Sequence, residues 1–231
     1  MTKAKKNAVF FITLIVLLLF MVPFFVLVLN SFKTTNEFIT APFALPKKFS
    51  LDNFRVAINR MNFWSSLRNT AVITVLAVAV NMLIGSMTGY FFARKRWGIN
   101  KIIFGAFLAS MVAPFQVYMI PLVKIYAGWL GLSNNLLIVA YVAVGLNLPF
   151  AVFLYKGFAE GIPEELDEAA RIDGLSEVGI FFRMFMPTMK STYAAAAVIT
   201  FMNAWNSYLW PKVIMTDNKA ITMPMLIANL I

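Results

Sequence analysis

Long charge-free apolar runs constrain this chain more than any other feature. Ala8–Leu29, Asn69–Ala93, Ile102–Val123, Leu136–Tyr155 and Ser191–Pro211 contain no Asp, Glu, Lys or Arg. A helix of about 20 apolar residues crosses the hydrocarbon core of a bilayer, and each run is long enough. In lipid a spanning backbone must satisfy its own N–H and C=O groups, which a helix does. The expected fold class is therefore all-α: a polytopic integral membrane protein, one transmembrane domain over 1–231 with five spans. Composition agrees, since 61% of residues are hydrophobic and 13% charged, against about 45–50% and about 25% in soluble domains.

Lys3, Lys5 and Lys6 precede the first run as in a signal peptide. The run exceeds a typical apolar core of such peptides, and no small-residue cleavage site follows it. It reads as an uncleaved first span. These lysines, with Arg94, Lys95, Arg96 and Lys101 after the second run, place the N-terminus in the cytoplasm, where Lys and Arg accumulate. Lys124–Asn135 has only Lys124 as a base and suits the outside. Asn30–Arg68 runs against this pattern with Lys33, Lys47, Lys48, Arg55, Arg60 and Arg68, although they are diluted over a long segment. It reads as an extracytoplasmic excursion broken by Pro42 and Pro46, with a short amphipathic helix starting near Ser50–Phe54.

Several function classes drop out. The chain has no Cys and no His, which excludes disulfides, Cys/His zinc sites and histidine-based acid–base catalysis. No glycine is followed by Lys, so no phosphate-binding P-loop exists. The absence of intramembrane charge argues against self-powered ion-coupled transport and against a charge-ringed channel. The net charge of +10 lies beside apolar spans, where bases set topology and meet lipid head groups. No nucleic-acid partner is expected.

Uncharged polar groups do occur in the runs. Gln116 lies between Pro114 and Pro121, and Asn147 precedes Pro149. Asn203, Trp205, Asn206, Ser207, Tyr208 and Trp210 crowd the fifth run. Two readings stay open. Amides and indoles could line a path for a neutral polar solute, helped by carbonyls that proline frees. They could equally bond helix to helix. Gly85 and Gly89 form a G-x-x-x-G pair that calls for close helix packing, and Ala194–Ala197 marks a thin helix face.

The charge anomaly is a loop at 160–190. Glu160, Glu164, Glu165, Asp167, Glu168, Asp173 and Glu177 are seven of the chain's ten acidic residues. Pro163 suits a first helical turn, and the acids after it favour a helix N-terminus. Leu166, Ala169, Ala170 and Asp173 fall on one helical face. Gly174 is placed for a left-handed cap, Ser176 for the N-cap of a second helix, and Pro187 separates that helix from the fifth span. Small Ala169 and Ala170 flanked by charge suit a partner's groove. A lipid-facing loop is the bland alternative, but lipid-binding faces are basic.

Glu168-Ala169-Ala170, Gly174 after three residues, and Met184-Phe185-Met186-Pro187 after nine more resemble the EAA motif of ABC importer permeases, E-A-A-x3-G-x9-I-x-L-P. Met184 and Met186 stand where Ile and Leu are usual. Asn30-Ser31-Phe32-Lys33-Thr34, Leu45-Pro46, Asn53-Phe54, Asn69-Thr70, Ile120-Pro121-Leu122, Leu130-Gly131-Leu132, Trp205-Asn206 and Leu209-Trp210-Pro211 resemble the carbohydrate branch, similar to the second membrane subunit of maltose-type importers. The resemblance implies a multi-pass permease of a prokaryotic cytoplasmic (inner) membrane that imports a sugar or oligosaccharide. It implies a second permease subunit, two ATP-binding subunits that use ATP and Mg, and an external solute-binding protein. This chain itself would bind no cofactor and catalyse no reaction. Glu168, Ala169, Ala170, Asp173, Gly174 and Pro187 would couple it to the ATPase, and Gln116, Asn147, Asn203, Trp205, Asn206 and Tyr208 are the solute-path candidates. Another polar solute, such as a glycerol phosphate ester, and a non-transporting scaffold that recruits a partner are the alternatives. Such permeases usually have six spans. Ile221–Ile231 is too short to cross and is broken by Pro224, so the chain reads as lacking the sixth, as a fragment would.

Overall fold

The structure is a computed structural model that describes residues 3–60, 62–217 and 221–229. Among these residues every regular element is helical, the all-α membrane class expected. The chain divides into two compact units, Met1–Phe63 and Trp64–Ile231.

The first unit holds α1 (Lys3–Ser31), α2 (Thr35–Thr40) and α3 (Asp52–Arg60). The apolar window of α1 is 0% buried, with Phe10, Leu18, Phe20 and Leu27 all exposed. A helix apolar on every side belongs in lipid or against other protein. The segment after it folds back on its end. The Asn53 amide donates to the carbonyls of Ser31 (3.0 Å) and Lys33 (2.7 Å), and Phe32 packs on Phe49 and Phe54. Lys33 is buried, its ammonium donating to the carbonyls of Ala41 and Pro42. The amphipathic helix expected near Ser50 begins at Asp52, whose N–H the Ser50 hydroxyl accepts.

The second unit contains α4 (Phe63–Arg94), α5 (Gly98–Val112), α6 (Phe115–Trp129), α7 (Leu136–Glu160), α8 (Glu164–Ile172), α9 (177–188), α10 (Lys190–Trp205), α11 (Leu209–Ile214) and α12 (Met223–Ala228). Its centre is the crossing of α4 and α7. A Cβ on Gly89 would come within 2.7 Å of the Tyr155 Cβ and 2.8 Å of the Lys156 nitrogen, and one on Gly85 within 3.0 Å of the Ala151 Cβ. The G-x-x-x-G pair thus packs as its spacing demands. Tyr155, Ala151, Ala159, Ile180, Phe185, Met189 and Ala196 complete the core. The expected alanine face is narrower than four residues: Ala196 is buried while Ala194 and Ala195 are exposed, because consecutive helical residues diverge by about 100°.

Two expected spans are not continuous. In place of one span over Ile102–Val123, α5 and α6 meet at 99°. The break is at Ala113 (φ −72°, ψ 121°) and Pro114, since a residue before proline is pushed out of the helical region. In place of Ser191–Pro211, α10 ends at Trp205 after 16 residues, about 24 Å. Asn206, Ser207 and Tyr208 then interrupt it before α11. Three described helices are long and apolar enough to cross, Lys5–Ser31, Phe63–Arg94 and Leu136–Glu160, with a fourth if the bent pair is one span. In the C-terminal run only Met223–Ala228 is helical, and its last two residues lie outside the described ones. It packs on the start of α4, where the Thr70 hydroxyl accepts the Met223 N–H and the Asn69 amide donates to the Ile221 carbonyl.

Candidate functional site

The acidic segment folds as α8, a glycine turn and α9. Pro163 stands one residue before α8 (φ −55°, ψ 136°), and Glu164, Glu165 and Asp167 fill the first turn. At the other end Gly174 has φ +84°. The Leu175 N–H donates to the Ala170 carbonyl and the Gly174 N–H to that of Arg171, both at 3.0 Å. This is the Schellman arrangement. No atom lies within 4 Å of a Cβ built on Gly174, so glycine is needed there for its backbone angle and not for space. The Ser176 hydroxyl then accepts the Gly179 N–H and caps α9. Within α9 the backbone widens to a π turn at Phe181–Phe185, just before Pro187, whose ring displaces the normal bond to Arg183. The separation from α10 falls at Met189, two residues past Pro187.

α8 is oriented by a buried ionic network. The Arg94 guanidinium donates to Asp167, Nε to Oδ2 at 2.6 Å and Nη2 to Oδ1 at 3.4 Å, and through Nη1 to the Ala159 carbonyl at 2.9 Å. The Tyr90 hydroxyl adds a third donor at 3.0 Å from Oδ2. The Arg94 and Asp167 side chains are 6% and 2% exposed. More exposed pairs surround them: Arg96–Glu164 at 2.6 Å, Lys95–Glu177 at 3.5 Å and Arg171–Glu177 at 3.1 Å. Much of the loop's acidity is therefore matched within this chain, by Arg94, Lys95 and Arg96 at the end of α4 and by Arg171 of α8. Arg94, Tyr90 and Asp167 were not among the sequence candidates. Their signal was the run Arg94-Lys95-Arg96 facing an acidic loop on one side of the membrane.

The network decides which face of α8 is free. Asp167 and Ala170 point inward, Ala170 into the core. The expected common face of Leu166, Ala169, Ala170 and Asp173 is thus split: Ala170 packs on its own chain, while Leu166, Ala169 and Asp173 are exposed. Glu168, Gly174 and Pro187 are also exposed, and Ile172 is 87% exposed. An apolar patch of Leu166, Ala169 and Ile172 rimmed by Glu165, Glu168 and Asp173 remains for contact.

The solute-path candidates divide as well. The Asn203 amide donates to Asn147 Oδ1 at 3.1 Å, and Asn147 donates to the Ala143 carbonyl. That pair joins α10 to α7. Trp205 stacks on Phe201 at 5.3 Å, and Asn206 donates to the Met202 carbonyl. Gln116, Asn206 and Tyr208 are exposed at the two helix breaks.

Residues 81–231, which contain the end of α4 and all of α5 to α12, match the family described as binding-protein-dependent transport system inner membrane component. The chain belongs to that family. This inner membrane component is 35% identical over 223 residues to a probable starch degradation products transport system permease of Thermoanaerobacterium thermosulfurigenes, covering 96% of this chain and 81% of the relative. It is 33% identical to an arabinooligosaccharides transport system permease of Bacillus subtilis (strain 168), covering 93% and 76%. Against a lactose transport system permease of Rhizobium radiobacter the identity is 31%, with 90% and 75% covered. Its fold matches a chain in the crystal structure of a bacterial ABC transporter involved in the import of the acidic polysaccharide alginate. The TM-score is 0.81 at 19% identity, covering 99% of this chain and 80% of that one. The inner membrane component is thus akin to transport permeases, with a helical membrane fold to match.

Proposed function

We propose that this chain is one of two permease subunits forming the pore of an ATP-driven importer, and that its substrate is a sugar or oligosaccharide. An external binding protein delivers the solute. Two separate ATP-binding subunits, using ATP and Mg, supply the energy. The observation that carries the reading is the exposed rim of α8 and its turn, Glu168, Ala169, Ile172, Asp173 and Gly174, held rigidly at one end of a membrane bundle that has no nucleotide loop of its own. Glu168 orients α8 in the ATPase groove, Ala169 admits close contact, and Gly174 makes the turn. Ala170 fixes α8 on the core, and Pro187 shapes the end of α9.

Arg94, Lys95, Arg96 and Lys101 lie at the end of the second unit that also holds α8. That supports a cytoplasmic location for this end in a prokaryotic inner membrane, and with it a cytoplasmic N-terminus. Asn203 on Asn147, with Trp205, Asn206, Tyr208 and Gln116 near the helix breaks, are assigned to the solute path. Amides supply donors and acceptors for hydroxyls, and indole faces pack on the apolar faces of sugar rings. Several relatives bear names of oligosaccharide systems, which supports this substrate class. The test is uptake of labelled neutral oligosaccharides by proteoliposomes holding this chain with its permease, ATPase and binding-protein partners. ATP-dependent uptake is expected. An assembled complex that transports only non-sugar solutes would overturn the substrate assignment.

A further inference from the structure

One stripe of α4 touches both the acidic segment and the neighbouring membrane helices. Gly85 and Gly89 meet α7 without room for a Cβ. The Ser86 hydroxyl accepts the Tyr193 hydroxyl of α10 at 2.7 Å. The Tyr90 ring lies 4.4 Å from Phe185 and 5.8 Å from Phe181 of α9. Arg94 reaches 73 residues along the chain to Asp167 of α8. These positions recur every four residues on one face of the helix.

A buried ion pair is a poor choice if stability alone is needed, because well-packed apolar residues do as well or better. Its distinct property is direction. A planar fork of N–H donors holds a carboxylate edge to edge through two parallel bonds, which restricts its orientation. Here the third guanidinium nitrogen is held by the last turn of α7, so α8 is fixed in angle as well as position.

We infer that Arg94 is a positioning residue for energy coupling: through Asp167 it makes α8 and the C-terminal end of α4 one rigid body, so that α4 moves with α8 when a partner pulls on it. This rests on the docking reading above. The chain has no cysteine, so introduced thiols are unique within it and can be cross-linked on the purified chain before assembly. Arg96 and Glu164 form an exposed pair beside the network, with side chains 78% and 51% exposed. Replacing both by Cys and joining them with a short bifunctional maleimide tethers α8 to α4 without touching Arg94.

The experiment uses the assembled transporter in proteoliposomes and reads solute taken up per ATP hydrolysed. Arg94→Gln is expected to lower that ratio about tenfold, the scale of a typical coupling energy, while the ATPase stays bound. The tether in the Arg94→Gln background is expected to recover most of it. With Arg94 intact the tether should change uptake by less than about twofold, as befits loss of an exposed pair. Lost uptake in that last complex would overturn the inference, because α8 and α4 would then have to separate during the cycle. Unchanged coupling in Arg94→Gln would overturn it too. Should Arg94→Gln not assemble, the tethered parent still decides. A parent complex that binds no ATPase would instead defeat the docking reading itself.

Discussion

The two ends of the second unit are closed by different chemistry. Near the last turn of α7, Arg94 and Asp167 form a buried charged fork with Tyr90 as a third donor. Just before the first turn of α7, Asn134 closes the other end with neutral, exposed bonds. Its Oδ1 accepts the N–H groups of Thr216 (2.7 Å) and Asp217 (2.8 Å), and its own N–H donates to the Ile214 carbonyl at 3.0 Å. Water competes with such bonds, so each adds only about 0.5–1.5 kcal/mol net. A buried charge stripped of its partner has no such substitute. The fork is the more costly of the two to break, and the Asn134 bonds the cheaper.

The largest effect should come from breaking the fork. Asp167→Ala leaves Arg94 buried without a counter-charge and is expected to cost about 3–5 kcal/mol, read by denaturant unfolding of the detergent-solubilised chain. Gly89→Val drives a side chain into the Tyr155 Cβ and the Lys156 backbone. A loss of about 1–3 kcal/mol is expected from such overpacking, measured the same way. Gly174→Ala forces a Cβ into a left-handed backbone with φ +84° and should cost about 1–2 kcal/mol. At the opposite end, Asn134→Gly tolerates the positive φ of 60° but removes the side-chain bonds, for about 1 kcal/mol. Arg96→Ala should be nearly silent, at about 0–1 kcal/mol, and its effect should fade as salt is raised. An Asn134→Gly loss as large as that of Asp167→Ala would erase the contrast between the ends.

Much of this was legible in the sequence, for local reasons. Apolar length marks α1, α4 and α7, and Gly174 and Ser176 mark the turn between α8 and α9 by chemistry confined to a few residues. What was hidden depends on partners distant in the chain. The outward face of α8 could not be read from its own periodicity, because Leu166, Ala169, Ala170 and Asp173 form a plausible apolar stripe. Arg94 turns the helix so that a carboxylate, Asp167, takes the inner position. The breaks were half visible. Pro114 announces a kink but not its 99°, and the polar run Asn206-Ser207-Tyr208 stood out by composition without announcing a helix end. The amide pair Asn147–Asn203 shows the same limit, since only the packing of α10 on α7 says that the two meet.

The central claim is that the exposed rim of α8 is where an ATP-hydrolysing subunit docks. Glu168 lies on that rim and outside the Arg94 network, so reversing its charge tests docking without unfolding the element. Purification of the complex carrying Glu168→Lys, with ATPase content and ATP-driven uptake measured together, is the direct test. We expect this chain to reach the membrane normally, the ATPase to be largely lost from the complex, and uptake to fall by about tenfold or more. Full ATPase content with uptake equal to the parent would contradict the claim.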